Sequence, residues 1–298
     1  MSEPTSHRAR PIAEQQNRTA ERPVGEGQQA GPPPFALLLA RQRSGTGALG
    51  SVLDKQPSLK YLGEILHPDN AGEADNFFTF LAERVGENAA AAMPWEQELL
   101  FEGYLARMAE RYPGRVPVLD VKYRSLHHLA GGWRGLLERP WLIRHADARG
   151  AAIIHLTRQN YVESFVSGRL AEANRVWHAT EADRLGVQSA VIDIRALSHY
   201  IETTSDEVAL IERWLKPTKR LATLDYGEMM DGEGALAEGP AHRLAALLGV
   251  PRFEERAPSF VKQAPSSLGA SIENMALVRR ALSGTPHAWM VGEARRAG

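Results

Sequence analysis

The sequence predicts an α/β fold in which a parallel β-sheet is flanked by helices on both faces. Apolar segments of single-strand length alternate along the chain with segments of helical periodicity. Four apolar segments, at 35–40, 116–121, 151–156 and 221–225, carry almost no polar side chain, which is typical of strands covered on both faces. A glycine-rich loop follows the first of them, and parallel sheets bind ligands at the carboxyl ends of their strands.

Composition limits the class of protein. The chain has 298 residues, 43% apolar content and a net charge of −1, which allows a large core and implies no strong attraction to nucleic acid. It has no cysteine, so disulfides and thiolate metal sites are excluded. No apolar run approaches the ~20 residues of a transmembrane helix, and no signal-peptide core is recognisable, so we expect a cytoplasmic protein.

Residues 1–33 are rich in Glu, Gln, Arg, Pro and Gly and nearly devoid of large apolar side chains. Such a segment cannot bury enough surface to offset the entropy lost on ordering, so it is predicted to be a disordered tail. Residues 35–298 are then expected to form a single α/β domain.

The first half of the domain opens with a strand, a loop and a helix. The helix is predicted from Ser51, and a second short strand follows over 59–66. Periodicity of about 3.6 residues predicts helices over 75–87 and 95–112. The buried strand 116–121 comes next.

The second half continues the alternation. Residues 133–148 read as one or two helices broken at Pro140, before the strand 151–156. The elements predicted after it are a helix over 160–178, a short strand over 189–194, a helix over 205–215, a strand over 221–226, and short helices over 240–248, closed by Gly249, and 276–282.

The first loop has the composition of an anion site. It reads Arg43-Ser-Gly-Thr-Gly-Ala-Leu-Gly50-Ser51, with glycines spaced for a tight backbone turn. N–H groups that converge ahead of a helix N-terminus favour an anion, and Arg43 adds a fixed positive charge. The loop is similar to the G-x-x-x-x-G-K-[ST] phosphate loop, but no lysine precedes Ser51, which argues against hydrolysis of ATP or GTP. By itself it could also be a turn without a ligand.

A second motif changes that balance. Arg158 comes directly after the strand 151–156, and Ser164 and Ser167 follow on the next helix. An arginine and a helix serine at this edge of the sheet can bind one phosphate together. The two motifs therefore suggest a nucleotide that carries two separated phosphate groups.

In these motifs the chain resembles sulfotransferases that use 3′-phosphoadenosine-5′-phosphosulfate (PAPS), in particular the bacterial carbohydrate type, which includes nodulation-factor and trehalose sulfotransferases. The resemblance spans about residues 35–290. It is strongest in the loop at 43–50, the segment Leu156-Thr-Arg158-Gln-Asn160 and the pair Val166-Ser167. Because Val166-Ser167 is similar to the carbohydrate-type pattern, Ser167 is preferred over Ser164. Further similar segments lie at 63–66, 177–178, 224–229 and 272–285. The tail at 262–269 matches the family's basic segment only loosely.

The resemblance implies a role for each residue of the two motifs. The backbone N–H groups of the loop, with the Ser44 and Thr46 hydroxyls, would hold the 5′-phosphosulfate. Arg43 would stabilise the charge that develops on the bridging oxygen, and Arg158 with Ser167 would bind the 3′-phosphate. The predicted donor-binding residues are Arg43, Ser44, Gly45, Thr46, Gly47, Ala48, Leu49, Arg158 and Ser167. No metal ion is implied.

The acceptor hydroxyl also needs a base. Glu64, after the second strand, is the first candidate, and His67 is the second because histidine titrates near neutral pH. The pair His127-His128 is a third candidate. Lys122 could contact the transferred group or the acceptor, and it could equally be a lysine that reaches from the sheet rim into solvent.

The sequence therefore predicts a PAPS-dependent sulfotransferase that acts on a hydroxyl of a carbohydrate, a glycolipid or a glycosylated metabolite. The partner would be a small-molecule or glycan acceptor, with no nucleic acid and no transmembrane segment. The alternatives are a P-loop nucleotide kinase or NTPase, and a non-catalytic nucleotide-binding module. The oligomeric state is open, although the helices at 75–112 could pair two subunits as a homodimer.

Overall fold

A computed structural model of the chain describes residues 34–129, 138–175, 186–259 and 267–292. Contacts divide the chain into two units, Met1–Ala30 and Gly31–Gly298, and every described residue belongs to the second. Several predictions fall on segments outside the described residues. They are the tail at 1–33, Trp133, Trp177, His178, and the residues 262–266 of the loosely matched basic segment.

The predicted parallel sheet is confirmed. Its five strands are β1 Ala36–Ala40, β2 Leu59–Glu64, β3 Val116–Lys122, β4 Ala152–Thr157 and β5 Leu221–Asp225. They lie in the order β2-β3-β1-β4-β5, and all four pairings are parallel. The chain leaves β1 toward β2 on one side and later crosses to β4 on the other. The carboxyl end of β1 is therefore the switch point at which such sheets bind ligands.

Ten α-helices are found among the described residues. They are α1 Thr46–Asp54, α2 Phe77–Glu87, α3 Gln97–Arg111, α4 Trp141–Ala148, α5 Tyr161–Asn174, α6 Ile194–Leu215, α7 Tyr226–Met229, α8 Glu238–Leu248, α9 Leu268–Ser271 and α10 Met275–Leu282. Short 3₁₀ turns lie at Pro68–Asn70, Ala89–Ala92, Pro94–Glu96, Tyr123–Leu129 and Ala288–Val291. The helices predicted over 75–87, 95–112, 240–248 and 276–282 thus correspond to α2, α3, α8 and α10.

Two hydrophobic cores lie on opposite faces of the sheet, because successive side chains of a strand alternate between the faces. Leu37 and Leu39 of β1 pack with side chains of α2, α3 and α4. Leu38 packs in the other core, with side chains of α1 and α8. A third cluster joins α5, α6 and α10. Both faces of the sheet are covered, as the apolar strands predicted.

The helix after the first loop begins at Thr46, and the predicted start at Ser51 is wrong. Gly45 precedes the helix with φ of 90°, so the chain turns into the helix within the glycine-rich segment. The N–H of Leu49 donates to the Gly45 carbonyl at 3.2 Å and closes the first turn. Gly50 is consequently a buried helix residue and no part of the loop. The sequence did not predict this start, because glycine has a low helix propensity and the segment 45–50 is rich in it.

The helix predicted over 160–178 is shorter than expected. It ends at Asn174, and Arg175 follows in the left-handed region with φ of 53°. A residue in this conformation cannot continue a right-handed helix, so the chain leaves the helix there.

The strand predicted over 189–194 is also wrong. Ala190 makes only an isolated bridge to Ile272. Helix α6 begins at Ile194, well before the predicted start at Ser205, because the Asp193 carboxylate caps it by accepting from the N–H groups of the second and third helix residues at 2.8 and 3.2 Å. The short apolar run Ala190–Ile194 thus leads into a helix and does not add a strand.

The helical segment 75–112 carries three large exposed hydrophobic side chains, those of Met93, Trp95 and Leu99. Trp95 is 75% exposed and Leu99 is 72% exposed. Subunit pairing through this segment stays a prediction. Among the described residues, no helix is both long and apolar enough to cross a bilayer.

Candidate active site

The loop after β1 brings a backbone turn and a helix N-terminus to the switch point of the sheet. Arg43 and Gly45 both have positive φ, 65° and 90°, which bends the chain back sharply before α1. The side chains of Ser44 and Thr46 are buried beside this turn. The first N–H groups of a helix have no partner within the helix and favour an anion. Since the Leu49 N–H is already bonded to Gly45, the N–H groups before it are the ones that can face a ligand.

Gly45 cannot be replaced without rearranging this turn. A Cβ atom at Gly45 would lie 2.2 Å from the ring of Tyr226, the first residue after β5. Arg158 also lies against this ring, with its guanidinium carbon 4.9 Å from the ring centroid. Tyr226 therefore packs against both the loop and the arginine.

Arg43 is the residue that connects the loop to α5. Its guanidinium donates to Ser167 Oγ, at 2.8 Å from Nη2 and 3.3 Å from Nε. Burial lowers the pKa of Arg43, and the nearby positive charge of Arg158 lowers it further. Two guanidinium groups are thus held close together at the carboxyl edge of the sheet, which favours the binding of an anion beside them.

Arg158 is almost completely buried, with 8% of its side chain exposed. Its Nη1 donates to the Arg43 carbonyl oxygen at 3.3 Å, and its Nη2 pairs with Glu163 Oε2 at 3.0 Å. Its Nε has no hydrogen-bond partner among the described residues. A buried, incompletely satisfied guanidinium is a group that an anionic ligand can complete.

The two candidate serines of α5 face different neighbours. Ser167 Oγ accepts from Arg43, whereas Ser164 Oγ lies 2.8 Å from the hydroxyl oxygen of Tyr200 on α6. The fold therefore brings Ser167 together with Arg43. The pairing of Ser167 with Arg158 on one phosphate stays a prediction. Asp225 fixes the loop before α5 by accepting from the Gln159 N–H at 2.7 Å.

Glu64 lies at the end of β2, and its side chain approaches the loop after β1 through its contact with Lys122. The β2–β3 register shifts between Tyr61 and Glu64, and Gly63 within this bulge has φ of 70°. Such a bulge reorients the side chain that follows it. Glu64 Oε1 lies 3.3 Å from Lys122 Nζ, and the Glu64 side chain keeps 24% of its surface exposed. It can therefore meet both the cation and an incoming hydroxyl.

The candidate histidines have other contacts. His67 Nδ1 accepts from the Asp69 N–H at 3.3 Å and caps the turn Pro68–Asn70. The rings of His127 and His128 are tilted by 41° with centroids 3.9 Å apart, and burial lowers the pKa of His128. His67 is close to Glu64 in sequence, but its Nδ1 lone pair is engaged in this cap.

Lys122 lies inside the site, and the suggested reach into solvent is wrong, since only 2% of its side chain is exposed. Its Nζ donates to Asp120 Oδ1 and to Thr46 Oγ1, each at 2.6 Å. The Tyr61 hydroxyl donates to Asp120 Oδ2 at 2.7 Å. Burial, and then the Asp120 charge, raise the pKa of Tyr61 well above its usual range.

Sequence reasoning gave no role to Tyr61 or Asp120. A signal for Asp120 was present, because Asp120 and Lys122 are two charged residues at alternate positions of an otherwise apolar strand. Alternate positions share one face, so the pair had to meet a polar partner on that face. Tyr61 gives no comparable signal in the sequence.

Comparison with known proteins adds one similar sequence. No family model matches the chain. The chain is 26% identical over 263 residues to Nodulation protein H of Rhizobium tropici, which covers 86% of this chain and 92% of the relative. The resemblance found in the motifs is therefore confirmed. The chain resembles the bacterial sulfotransferases.

Three solved structures show distant similarity to this sulfotransferase-like chain. The sulfotransferase domain from the curacin biosynthetic pathway has 16% identity and a TM-score of 0.44, with 74% of this chain and 76% of that domain covered. A sulfotransferase from Alicyclobacillus acidocaldarius has 14% identity and a TM-score of 0.41, with coverage of 84% and 92%. The sulfotransferase domain of the Synechococcus PCC 7002 olefin synthase has 13% identity and a TM-score of 0.38, with coverage of 77% and 78%.

The candidate site combines three cationic side chains with the partly buried carboxylate of Glu64. Arg43, Arg158 and Lys122 approach the loop from β1, β4 and β3, and Glu64 approaches from β2. Within the described parts of the chain, no cluster of three or more His, Asp or Glu side chains could hold a metal ion.

Proposed function

We propose that this protein is a sulfotransferase that moves a sulfuryl group from PAPS to an acceptor hydroxyl. The observation that carries the proposal is the position of Arg43, whose side chain bonds Ser167 and whose carbonyl accepts from Arg158. One residue thereby links the loop for the 5′-phosphosulfate with the pair for the 3′-phosphate. The similarity to Nodulation protein H supports the same reaction class.

The loop would bind the transferred end of the donor. The first N–H groups of α1 and the Ser44 and Thr46 hydroxyls would hold the 5′-phosphosulfate. Arg43 would place its guanidinium near the bridging oxygen, where negative charge increases as the bond to sulfur breaks. Because a guanidinium does not release its proton, Arg43 acts as an electrostatic clamp and not as an acid.

The pair Arg158 and Ser167 would bind the 3′-phosphate. Arg158 Nε supplies a buried donor that this phosphate can satisfy, and Tyr226 holds the guanidinium in place. A nucleotide without a 3′-phosphate would leave that donor unpaired, so ADP-like nucleotides would bind more weakly.

The transfer itself needs in-line alignment and one proton acceptor. The acceptor oxygen forms a bond to sulfur, the bond between sulfur and the phosphate oxygen breaks, and the acceptor proton passes to the Glu64 carboxylate. The leaving group is 3′-phosphoadenosine-5′-phosphate. Most of the rate would come from positioning and charge stabilisation.

The acceptor class follows from the resemblance to carbohydrate-type enzymes. We propose a hydroxyl of a sugar, a glycolipid or a glycosylated metabolite. The acceptor is then a neutral nucleophile, which is consistent with a carboxylate base at the end of β2.

The test begins with binding. Calorimetry should detect 3′-phosphoadenosine-5′-phosphate and should show markedly weaker binding of ADP as the matched control. ³⁵S-labelled PAPS is then supplied with trehalose, N,N′-diacetylchitobiose or octyl glucoside, and the product is checked by mass spectrometry for one added sulfuryl group. The absence of nucleotide binding would overturn the proposal. Magnesium-dependent ATP turnover would indicate a kinase or NTPase, and binding without product or sulfate release would indicate a binding module.

A further inference from the structure

Lys122 is the point at which the polar parts of the site meet. Its Nζ contacts Asp120 Oδ1 and Thr46 Oγ1 at 2.6 Å, and Glu64 Oε1 at 3.3 Å. The ammonium donates hydrogen bonds to Asp120 and Thr46 and lies within ion-pair distance of Glu64. In this arrangement all three contacts of Lys122 are with groups of the protein.

Side chains of β2 and β3 fix the position of the Lys122 ammonium. Asp120 is 1% exposed and receives a second hydrogen bond, from the Tyr61 hydroxyl, on its other oxygen. The Tyr61 ring is fixed in turn by α1, because it fills the space that a Cβ of Gly50 would need. Since Asp120 already neutralises Lys122, the more exposed Glu64 is the adjustable partner in the group.

We propose that Lys122 is a positioning residue for Glu64, an inference that rests on the proposed sulfuryl transfer. The ammonium attracts the Glu64 carboxylate toward the loop and, through Thr46, holds it in register with the N-terminus of α1. The bulge at Gly63 brings Glu64 to that cation. Glu64 thereby meets the acceptor proton at a fixed distance from the donor site.

Lys122 could affect turnover in two ways, and a single variant does not distinguish them. A lysine that touches the transferred group would contribute to the transition state independently of Glu64. A lysine that acts through Glu64 contributes little once Glu64 has lost its charge. A double-mutant cycle between Lys122→Met and Glu64→Gln distinguishes them.

Turnover is measured with ³⁵S-labelled PAPS and the most active acceptor of the panel above, or as sulfate release to water if none is active. We expect Lys122→Met to lower kcat about 100-fold while the KM for PAPS changes less than about threefold. The double variant should stay within about threefold of Glu64→Gln alone. Effects that multiply in the double variant, or a loss of nucleotide affinity equal to the loss of kcat, would overturn the inference.

Removal of Lys122 leaves Asp120 buried without its cation, so folding needs its own control. The variant Asp120→Asn/Lys122→Met removes both charges, and it should unfold at a temperature close to that of the wild type while keeping the loss of kcat. Lys60→Met is the matched control, because Lys60 lies on β2, the strand that carries Glu64, but pairs with Asp54. It should leave kcat unchanged.

Rescue provides a last readout that a purely structural role would not give. The chain has no cysteine, so Lys122→Cys can be alkylated with 2-bromoethylamine in the denatured state and refolded with the ammonium restored. We expect kcat to return to within about tenfold of the wild type, and an unchanged low kcat in the refolded, nucleotide-binding protein would contradict the inference. If wild-type protein neither binds the nucleotide nor transfers sulfuryl groups, the proposed function fails, which is a different result from failure of the cycle.

Discussion

At the residue scale, Arg43 illustrates how one residue can contact two parts of a site, through its carbonyl and through its side chain. It has φ of 65°, an uncommon conformation for a residue with a side chain, and this turns its carbonyl toward Arg158 while its guanidinium reaches Ser167. Backbone strain of this kind persists only where the surrounding contacts stabilise it. Here the contacts come from β4 and α5, so the loop conformation depends on both.

Arg158→Ala tests the proposed 3′-phosphate site. The affinity for 3′-phosphoadenosine-5′-phosphate should fall about 100-fold, because charge-assisted hydrogen bonds contribute roughly 1.5–3 kcal/mol each. Calorimetry measures the change. Arg169→Ala is the control, since Arg169 lies on α5 but pairs with Glu172 at the surface. Equal losses in both variants would place the phosphate elsewhere.

Glu64→Gln tests the proposed base. Transfer should fall by about 10²–10⁴-fold while nucleotide affinity is retained, because the amide keeps the shape of the carboxylate but cannot accept the proton. Initial rates with labelled PAPS and calorimetry give the two quantities. Glu73→Gln, at an exposed position before α2, should change neither. A Glu64→Gln variant with normal turnover would remove Glu64 from the mechanism.

At the element scale, the site depends on how closely α1 packs on β2. Gly50 lies on the buried face of α1, and the Tyr61 ring occupies the space beside it. This contact allows the Tyr61 hydroxyl to reach Asp120 and so fixes Lys122 under the N-terminus of α1. A glycine that the sequence suggested as a loop residue is thus a packing residue between two elements.

Gly50→Ala tests this packing. A Cβ at Gly50 would lie 2.3 Å from the Tyr61 ring, so the free energy of unfolding should fall by about 1–3 kcal/mol, as in other overpacked cores. Gly86→Ala is the control, because Gly86 lies in α2 with open space around it. That change should stabilise the protein by about 0.5–1 kcal/mol through helix propensity. Urea unfolding measures both, and an equal response of the two glycines would contradict the packing argument.

At the scale of the whole molecule, the order of the strands determines where the site lies. β1 is the central strand. Lys122 ends its neighbour β3 and Arg158 follows its other neighbour β4, so both residues lie at the same edge. Beneath that edge the sheet contains buried polar groups such as His155 on β4, which is 1% exposed and lies 2.6 Å from the Tyr123 hydroxyl. Burial lowers the pKa of His155 to about 4.

This shift predicts how the stability of the whole domain depends on pH. Between the ordinary histidine pKa of about 6.5 and the folded value of about 4, the unfolded chain binds a proton that the folded protein does not. The stabilisation is therefore complete above pH ~6.5 and is lost as the pH falls toward 4, by about 3 kcal/mol in all. Urea unfolding of the wild type and of His155→Gln, which should lack this part of the pH dependence, measures it. His242→Gln, at an exposed position on α8, should keep the wild-type profile, and a His155→Gln profile that also matches the wild type would contradict the assignment.

Much of the fold could be predicted because its signals are local. The apolar runs of β1, β3, β4 and β5 and the periodic helices α2 and α3 are visible in short windows of sequence. The errors came where a single residue decides the conformation. Gly45 starts α1 early, Arg175 stops α5, and Asp193 begins α6, all through backbone or capping effects that periodicity does not report.

The sequence by itself determined the class of fold, and it predicted a glycine-rich turn after β1 and a second motif, Arg158 and Ser167, after β4. It did so because each lies next to a recognisable strand or motif. Only the tertiary structure decided that Ser167 bonds Arg43 while Ser164 bonds Tyr200, and that Lys122 joins Glu64 to Thr46. These pairings depend on strand order, on the bulge at Gly63 and on the packing of α1 against β2. Such contacts join residues far apart in the chain, and no local pattern specifies them.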